Sequence, residues 1–168
     1  MKRYVVRNLR MIVSIVCAVC ALGLLLWLSG NELAMTSIQR SLALVTSRFL
    51  NLFGQNTVVV NTTVQSEIFG ISVVTACTGL FTTGLFVIAV LAFPALWWRK
   101  LVGVGIGVFG IYAVNVIRLV TLYFIGVELP GFLDQAHQLV WQSLLIVIAV
   151  ALWLYWAGRW AYAPRSTS

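Results

Sequence analysis

Two observations, the composition and the order of the charges, predict an all-α fold, a bundle of transmembrane helices. Hydrophobic residues make up 61% of the 168 positions and charged residues only 9%, whereas roughly a quarter of the residues in a soluble domain are charged. A chain with so few polar side chains lacks the polar surface that water requires. We therefore expect one integral membrane domain, residues 1–168, with the lipid bilayer as its solvent.

Four apolar stretches approach or exceed the length of about 20 residues that a helix needs to cross a hydrocarbon core of about 30 Å. They are residues 11–28, 79–98, 101–125 and 139–157. The sequence thus predicts a polytopic bundle of about four spans. One long outer loop, residues 29–76, connects the first span to the second.

The formal charge of +7 is explained by where the charged residues fall along the chain. Eight basic residues flank the apolar stretches on one side of the predicted bundle: Lys2, Arg3, Arg7, Arg10, Arg99, Lys100, Arg159 and Arg165. All four acidic residues fall on the other side: Glu32, Glu67, Glu128 and Asp134. Because basic residues concentrate on the cytoplasmic side, we predict a multi-pass protein of the cell membrane with a cytoplasmic N-terminus. The basic excess then marks orientation, and no nucleic-acid partner is expected.

The outer loop has two halves with different periodicity. In the first half, apolar residues recur at steps of three and four, which predicts an amphipathic helix. This helix is expected either to lie on the outer interface or over the bundle, or to continue the first span. Residues 57–60 and 62–69 are rich in β-branched residues and are separated by Asn61, which favours a short β-hairpin. The apolar positions of the predicted helix are Met35, Ile38, Leu42, Val45, Phe49 and Leu52.

Three reactive or charged residues are predicted to lie at one depth in the membrane. Cys77 precedes Lys100 by 23 residues, and Arg118 follows it by 18. His137 precedes Arg159 by 22 residues. With a helical rise of about 1.5 Å per residue, the three lie about 35, 27 and 33 Å from the basic boundary. Three different spans would then bring them together around one small cavity that faces outwards.

The chemistry of these side chains predicts their roles. Cys77 is expected at the N-terminal end of the second span, where the helix dipole favours an anion. A nearby Arg118 would lower its pKa further and make it a thiolate nucleophile. His137 has an ordinary pKa close to operating pH, which suits general acid and base chemistry. Arg118 is expected to hold the thiolate, a tetrahedral oxyanion or a substrate carboxylate.

Two further polar residues lie close to these in the sequence. Asn115 precedes Arg118 by three residues on the same helical face, and we expect it to orient the guanidinium or a substrate carbonyl. Asp134 precedes His137 by three residues and is expected either to cap the last helix or to hold the imidazole. The sequence contains no phosphate-binding glycine loop, and we predict no cofactor and no metal site.

At these residues the sequence resembles the exosortase and archaeosortase family of membrane cysteine transpeptidases. The matching stretches are Ala76-Cys77-Thr78-Gly79-Leu80, Asn115-Val116-Ile117-Arg118-Leu119 and His137. Their order and spacing are similar to the Cys, Arg and His triad of that family. The sequence departs from the pattern of that family in two respects. Thr78 stands where the family commonly has serine, and the chain is shorter than the many-span members.

The resemblance implies a membrane thiol protease and transpeptidase for protein sorting. Such enzymes cleave a C-terminal sorting signal of exported surface proteins. They transfer the new C-terminus to a lipid or cell-surface acceptor through a cysteine thioacyl intermediate. By motif match, Cys77 would be the nucleophile, Arg118 the stabilising cation and His137 the acid or base, all on the extracytoplasmic side. The implied partners are membrane-anchored proteins that carry the sorting signal.

Two other functions remain open from the sequence. A membrane thiol oxidoreductase would use Cys17-Ala-Val-Cys20, which has the spacing of a redox motif, although both thiols fall inside the first predicted span. A non-enzymatic assembly subunit would leave Arg118 without a chemical role, although an arginine within a span is costly in hydrocarbon.

Overall fold

The computed structural model describes residues 2–161, with side chains from residue 11 onward, so the basic side chains of residues 2–10 and of Arg165 lie outside it. The chain is largely helical, as the predicted all-α class requires. Three helices contain segments long and apolar enough to cross a membrane, so the chain is a membrane protein. The helices are α1 (Lys2–Gly30), α2 (Glu32–Leu52), α3 (Leu80–Ala92), α4 (Trp97–Glu128) and α5 (Pro130–Ala161).

The second and third predicted spans have different limits in the structure. α3 stops short of the predicted residue 98, because Phe93 precedes Pro94 and has an extended backbone. α4 begins at Trp97, so Arg99 and Lys100 lie in its first turn and not in a loop. With 13 residues, α3 is about 20 Å long, which is shorter than a hydrocarbon core of about 30 Å.

The last predicted span belongs to a longer helix that starts at Pro130 rather than at residue 139. α5 changes pitch along its length: a wide π-helical turn, Ala136–Trp141, precedes regular α-helix over Gln142–Trp156. A short α-helical turn, Leu133–Gln135, precedes the π turn. Its N-cap residue is Phe132, not Asp134, and no side chain forms a capping hydrogen bond there. The predicted cap by Asp134 is therefore not formed.

α4 is the central helix of the fold. Its N-terminal half packs with α3 and α5 in a hydrophobic cluster that includes Phe86, Ile111 and Trp156. Its C-terminal half packs with α2 and the neighbouring strands in a second cluster that includes Leu42 and Leu119. α1 lies along α3. The first cluster thus fills the helical bundle, and the second joins the bundle to the long connection.

The predicted amphipathic helix is α2, and it is separate from α1. Asn31 has an extended backbone, which interrupts the helix, and its side chain accepts a hydrogen bond from the Ala34 N–H and caps α2. α2 then packs against α4 and the strands. Its predicted apolar face is partly wrong, because Phe49 and Leu52 are exposed. The buried residues of α2 are Met35 and Leu42 of the predicted face, together with Ala43, Thr46, Ser47 and Leu50.

The second half of the connection forms a three-stranded antiparallel sheet where a hairpin was predicted. The strands β1 (Val58–Val60), β2 (Thr63–Gln65) and β3 (Gly70–Ser72) pair in sequence order. Asn61 has a φ of 55°, a left-handed conformation that suits the tight turn between β1 and β2. β3 leads directly into the turn that carries Cys77. The sheet therefore positions the candidate site.

Candidate active site

Cys77 lies in a short turn between the sheet and α3. The turn, Thr75–Cys77, is a single 3-10 turn in which the Cys77 N–H donates to the Val74 carbonyl oxygen at 2.8 Å. Val73 is buried, and its N–H donates to the Thr62 carbonyl oxygen at 2.9 Å. The side chain of Cys77 is only 3% exposed. Hydrogen bonds to the sheet and within the turn thus fix the backbone that carries the thiol.

Gly79 allows this turn to approach α4 closely. Its φ of 65° lies in the left-handed region, where a side chain is unfavourable. A Cβ atom at this position would also overlap the side-chain amide of Asn115. Asn115 is fully buried and donates to the carbonyl oxygens of Ile111 at 3.0 Å and Thr78 at 3.5 Å. The Asn115 amide therefore holds the backbone next to Cys77.

His137 reaches Cys77 from the beginning of α5. Its Nε2 atom lies 3.0 Å from the Sγ atom of Cys77. His137 falls within the π-helical turn Ala136–Trp141, a distortion that occurs frequently at functional sites. The contact has two protonation states: a thiol that donates to a neutral imidazole, or a thiolate that accepts from an imidazolium.

Arg118 on α4 completes the group. Its side chain is 1% exposed, and Nη2 donates to the carbonyl oxygen of His137 at 3.4 Å. In the part of the chain that the structure describes, its Nε atom has no hydrogen-bond partner, and neither has Oδ1 of Asn115. The expected hydrogen bond between these two side chains is thus not formed. Burial of a guanidinium whose N–H donors are unpaired costs free energy, unless an anion or a carbonyl oxygen binds to those donors.

The electrostatic environment of Cys77 differs from the predicted one. Burial raises the pKa of the Cys77 thiol, while the charge of Arg118 and a backbone hydrogen bond at Val74 lower this pKa by less. Cys77 also lies before the N-cap residue Gly79, outside the first turn of α3, where the helix dipole acts most strongly. Contrary to the expectation of a lowered pKa, the thiol therefore keeps its proton at neutral pH.

The depth predicted for Cys77 is too large. The estimate of about 35 Å assumed a continuous helix from Cys77 to Lys100, but α3 covers only 13 residues and a non-helical segment follows it. α4 is continuous over Trp97–Glu128, so Arg118 lies about 27 Å from Lys100 along the helix axis. Because Arg118 contacts His137, the whole group lies near this depth.

The other two cysteines lie away from this group. Cys17 and Cys20 are both in α1, and all three cysteines of the chain are free. Cys17 is one turn from Ser14, whose hydroxyl accepts a hydrogen bond from the Lys100 Nζ atom at 2.7 Å. This contact places the part of α1 that contains Ser14 and Cys17 beside the start of α4. Arg118 and its neighbours lie much further along α4.

Three residues contribute to the site in ways that the sequence analysis did not assign. Gln39 of α2 donates from Nε2 to the Thr75 hydroxyl at 3.4 Å, so the amphipathic helix contacts the Cys77 turn. Thr78 accepts a hydrogen bond from the Leu80 N–H at 3.3 Å and starts α3. Gly79 supplies the left-handed turn described above. Only Gly79 had a local signal, because a glycine directly before an apolar run marks a change of chain direction.

Together the fold and the site define a helical membrane protein in which a buried cysteine contacts a half-buried histidine beside an arginine. Comparison with known proteins finds no matching family model, no matching curated protein and no matching solved structure. The resemblance to the exosortase and archaeosortase family therefore rests on the motifs around Cys77, Arg118 and His137.

Proposed function

We propose that the protein is a membrane cysteine transpeptidase of the exosortase and archaeosortase type. It cleaves a C-terminal sorting signal of membrane-anchored, exported proteins and transfers the new C-terminus to a lipid or cell-surface acceptor. The observation that carries this proposal is the distance of 3.0 Å between Sγ of Cys77 and Nε2 of His137. A thiol next to an imidazole base is the arrangement that acyl transfer by cysteine requires.

The reaction begins with attack of the Cys77 sulfur on the scissile carbonyl carbon. Because burial keeps the thiol protonated, His137 accepts the proton as the C–S bond forms. His137 then donates this proton to the leaving amine, and the C–N bond breaks to leave a thioacyl group on Cys77. The acceptor nucleophile loses a proton to His137 and attacks the thioacyl carbon. When the C–S bond breaks, His137 returns the proton to the sulfur.

Arg118 stabilises the negative charge that develops on the carbonyl oxygen during both attacks. Its buried position favours this role, because a charge interaction is stronger where water is excluded. Its Nε–H is without a partner among the described residues and is thus available to an oxyanion. Asn115 has a supporting role, since its amide binds the Thr78 carbonyl and holds the Cys77 turn against α4.

In this proposal the N-terminus is cytoplasmic and the Cys–His pair faces the extracytoplasmic side of the cell membrane. The acidic residues Glu128 and Asp134 flank the site end of α4 and α5, whereas Arg99 and Arg159 flank the opposite end. α3 would be the fourth crossing element, since it runs from the site turn towards the start of α4. Reporter fusions test this orientation: a fusion near Val59 is expected outside the cell and a fusion after Trp98 inside.

An apolar groove between α3 and α5 supports a membrane-anchored substrate. The groove has a volume of about 470 Å³, and its lining includes Thr82 and Ala89 of α3 and Val150 of α5. Both walls lead away from the site, because Cys77 directly precedes α3 and His137 lies in the first turns of α5. An apolar transmembrane helix in this groove would place the motif that precedes this helix outside the membrane and next to Cys77.

Co-expression with a model substrate tests the proposed activity. The substrate is a membrane protein that ends in a short motif, a transmembrane helix and a basic tail, drawn from the genome that encodes this chain. We expect Cys77→Ala to abolish its cleavage, read by mass spectrometry of the new C-terminus. Cys77→Ser is expected to form an acyl ester that turns over slowly, because a hydroxyl is a weaker nucleophile and a poorer leaving group than a thiol.

Cys17→Ala and Cys20→Ala are the matched controls, since both remove a thiol from a helix without touching the site. Each is expected to cleave the substrate like the parent. Loss of activity in either of them, with full activity in Cys77→Ala, would instead indicate a membrane thiol oxidoreductase. Parental cleavage in all three variants would show that no single thiol of this chain is needed for cleavage, and the chain would then be an assembly subunit and not the peptidase itself.

A further inference from the structure

A small cavity with two guanidinium groups lies at the opposite end of the bundle from the Cys–His pair. It forms where α4 begins and α5 ends, has a volume of about 230 Å³ and is lined by Trp98, Arg99, Arg159 and Trp160. Arg99 joins the two helices here, because its Nη1 atom donates to the Ala161 carbonyl oxygen at 3.3 Å. The cavity therefore lies between two helix ends that this hydrogen bond holds together.

Among the described residues, the positive charges in this cavity lack a carboxylate partner. Within residues 11–161, the side chain of Arg159 makes no hydrogen bond and no ion pair, and the buried Nε of Arg99 has no hydrogen-bond partner. All four acidic residues of the chain lie towards the other end of the bundle: Glu32, Glu67, Glu128 and Asp134. An anion from outside the chain would satisfy both guanidinium groups.

The two tryptophans give the cavity the character of a membrane interface. The rings of Trp98 and Trp160 pack edge to face with centroids 6.0 Å apart. The guanidinium carbon of Arg99 lies 5.3 Å from the centroid of the Trp98 ring. Tryptophan is enriched at the level of lipid headgroups, and the apolar segments of α4 and α5 extend away from this point. These residues are the type expected for a cavity at headgroup depth.

We propose that this cavity binds the phosphate group of an anionic phospholipid. Two arginines bind phosphate oxygens through paired N–H donors, a geometry that a guanidinium matches well. Basic cavities between transmembrane helices suit anionic headgroups for this reason. A phosphatidylcholine has the same phosphate, but its quaternary ammonium is repelled by Arg99 and Arg159. The site thus selects phosphatidylglycerol over phosphatidylcholine, and the bound lipid links the ends of α4 and α5.

Native mass spectrometry of the full chain tests this site. The protein is released from nanodiscs that contain phosphatidylcholine and phosphatidylglycerol, and the retained lipids are counted. We expect the parent to retain phosphatidylglycerol in preference to phosphatidylcholine. Arg159→Gln should reduce this preference roughly fivefold, since one basic residue near an anionic lipid contributes about 1 kcal/mol. Arg159→Lys should keep much of it. Arg48→Gln, which removes an exposed arginine of α2, is the control and should bind like the parent.

Three results would overturn the proposal. The first is equal retention of the two lipids by the parent, and the second is an unchanged preference in Arg159→Gln. The third is Arg159-dependent binding of inorganic phosphate by the parent in pure phosphatidylcholine nanodiscs, because the ligand would then be a free anion and not a lipid. Fluorescence gives a measurement that does not depend on changing Arg159. Brominated phosphatidylglycerol should quench the tryptophan fluorescence of the parent more strongly than brominated phosphatidylcholine, and the Trp98→Phe, Trp160→Phe double variant should lose that difference.

Discussion

The Sγ atom of Cys77 lies 3.0 Å from the Nε2 atom of His137, although 60 positions separate the two residues in the sequence. Burial raises the pKa of the Cys77 thiol, so at neutral pH the contact is a hydrogen bond from a thiol to a neutral imidazole. Nucleophilic attack by Cys77 therefore depends on proton transfer to His137 in the same step. This differs from cysteine enzymes in which a thiolate exists before the substrate binds.

The rate at which an alkylating reagent modifies Cys77 should rise with pH and reach half of its maximum only at high pH. The raised folded-state pKa means that thiolate appears only as the pH rises through a value above the usual cysteine pKa of about 8.5. We expect the alkylation rate to be low at pH 7 and to rise with pH to a midpoint above that value. Arg118→Gln should move the midpoint higher, because the charge of Arg118 lowers the pKa of Cys77.

The measurement uses iodoacetamide and a chain in which Cys17 and Cys20 are alanine, so that Cys77 alone reacts. Mass spectrometry gives the rate at each pH. A midpoint near or below pH 7 in the parent would contradict the burial argument. A midpoint that falls in Arg118→Gln would show that the guanidinium does not act on the thiol.

Lysine is not expected to replace Arg118 in the proposed reaction. The guanidinium bonds the carbonyl oxygen of His137 through Nη2 and keeps its Nε–H for another acceptor, whereas an ammonium offers a point charge on a flexible stem. We predict that Arg118→Lys accumulates in the membrane like the parent but cleaves substrate on the order of 10² to 10³-fold more slowly, as when one oxyanion donor is removed.

Cleavage rates are compared at matched membrane abundance, with Arg48→Lys as the control because Arg48 is exposed on α2. Near-parental cleavage by Arg118→Lys would reduce the role of Arg118 to a positive charge. Near-parental cleavage by Arg118→Ala would remove Arg118 from the reaction altogether.

Composition and periodicity predicted the helical class of the fold, although three of the four predicted spans, and not all four, are helices long enough to cross a membrane. The apolar stretches predicted the membrane helices, and steps of three and four predicted α2, because both signals come from neighbouring residues on one helix. The limits of α3 were missed because Pro94 stands within an apolar run that otherwise resembles one span. The third strand, Gly70–Ser72, was missed because it begins with a glycine and contains a single β-branched residue, so its composition does not indicate a strand.

The members of the candidate site were predictable, but their environment was not. Cys77, Arg118 and His137 were singled out by residue type and by spacing along helices, and they lie together in the structure. The direction of the Cys77 pKa shift depends on how tightly neighbouring elements cover the thiol. Such burial depends on contacts between distant parts of the chain, and no local sequence pattern predicts it.

Alanine at position 79 is expected to destabilise the site. The φ of 65° costs a non-glycine residue about 1–2 kcal/mol, and the added Cβ would overlap the Asn115 amide that holds the Thr78 carbonyl. We predict a lower Tm and a strong loss of substrate cleavage for Gly79→Ala. Gly105→Ala is the matched control, because a Cβ at Gly105 in α4 meets no atom within 4 Å, and its Tm should equal or exceed that of the parent. An unchanged Tm in Gly79→Ala would show that the turn can move away from α4.

Filling the groove between α3 and α5 should block substrate cleavage without disturbing the side chains of Cys77 and His137. Ala89 lines this groove on α3, and its side chain is exposed, so phenylalanine at that position would occupy the space proposed for the substrate helix. Ala151→Phe makes the same change at an exposed alanine of α5 that does not line the groove. We predict that Ala89→Phe cleaves substrate on the order of 10²-fold more slowly, because a misplacement of about 1 Å has an effect of that size. Ala151→Phe should cleave at the parental rate.

Two further measurements separate a blocked groove from a damaged protein. The Tm of Ala89→Phe and its rate of Cys77 alkylation should both equal those of the parent, because neither depends on the substrate helix. Equal cleavage by Ala89→Phe and Ala151→Phe would place the substrate helix elsewhere on the protein while leaving the Cys77–His137 chemistry intact. A changed alkylation rate in Ala89→Phe would mean that the groove and the thiol are coupled through α3, since Cys77 directly precedes this helix.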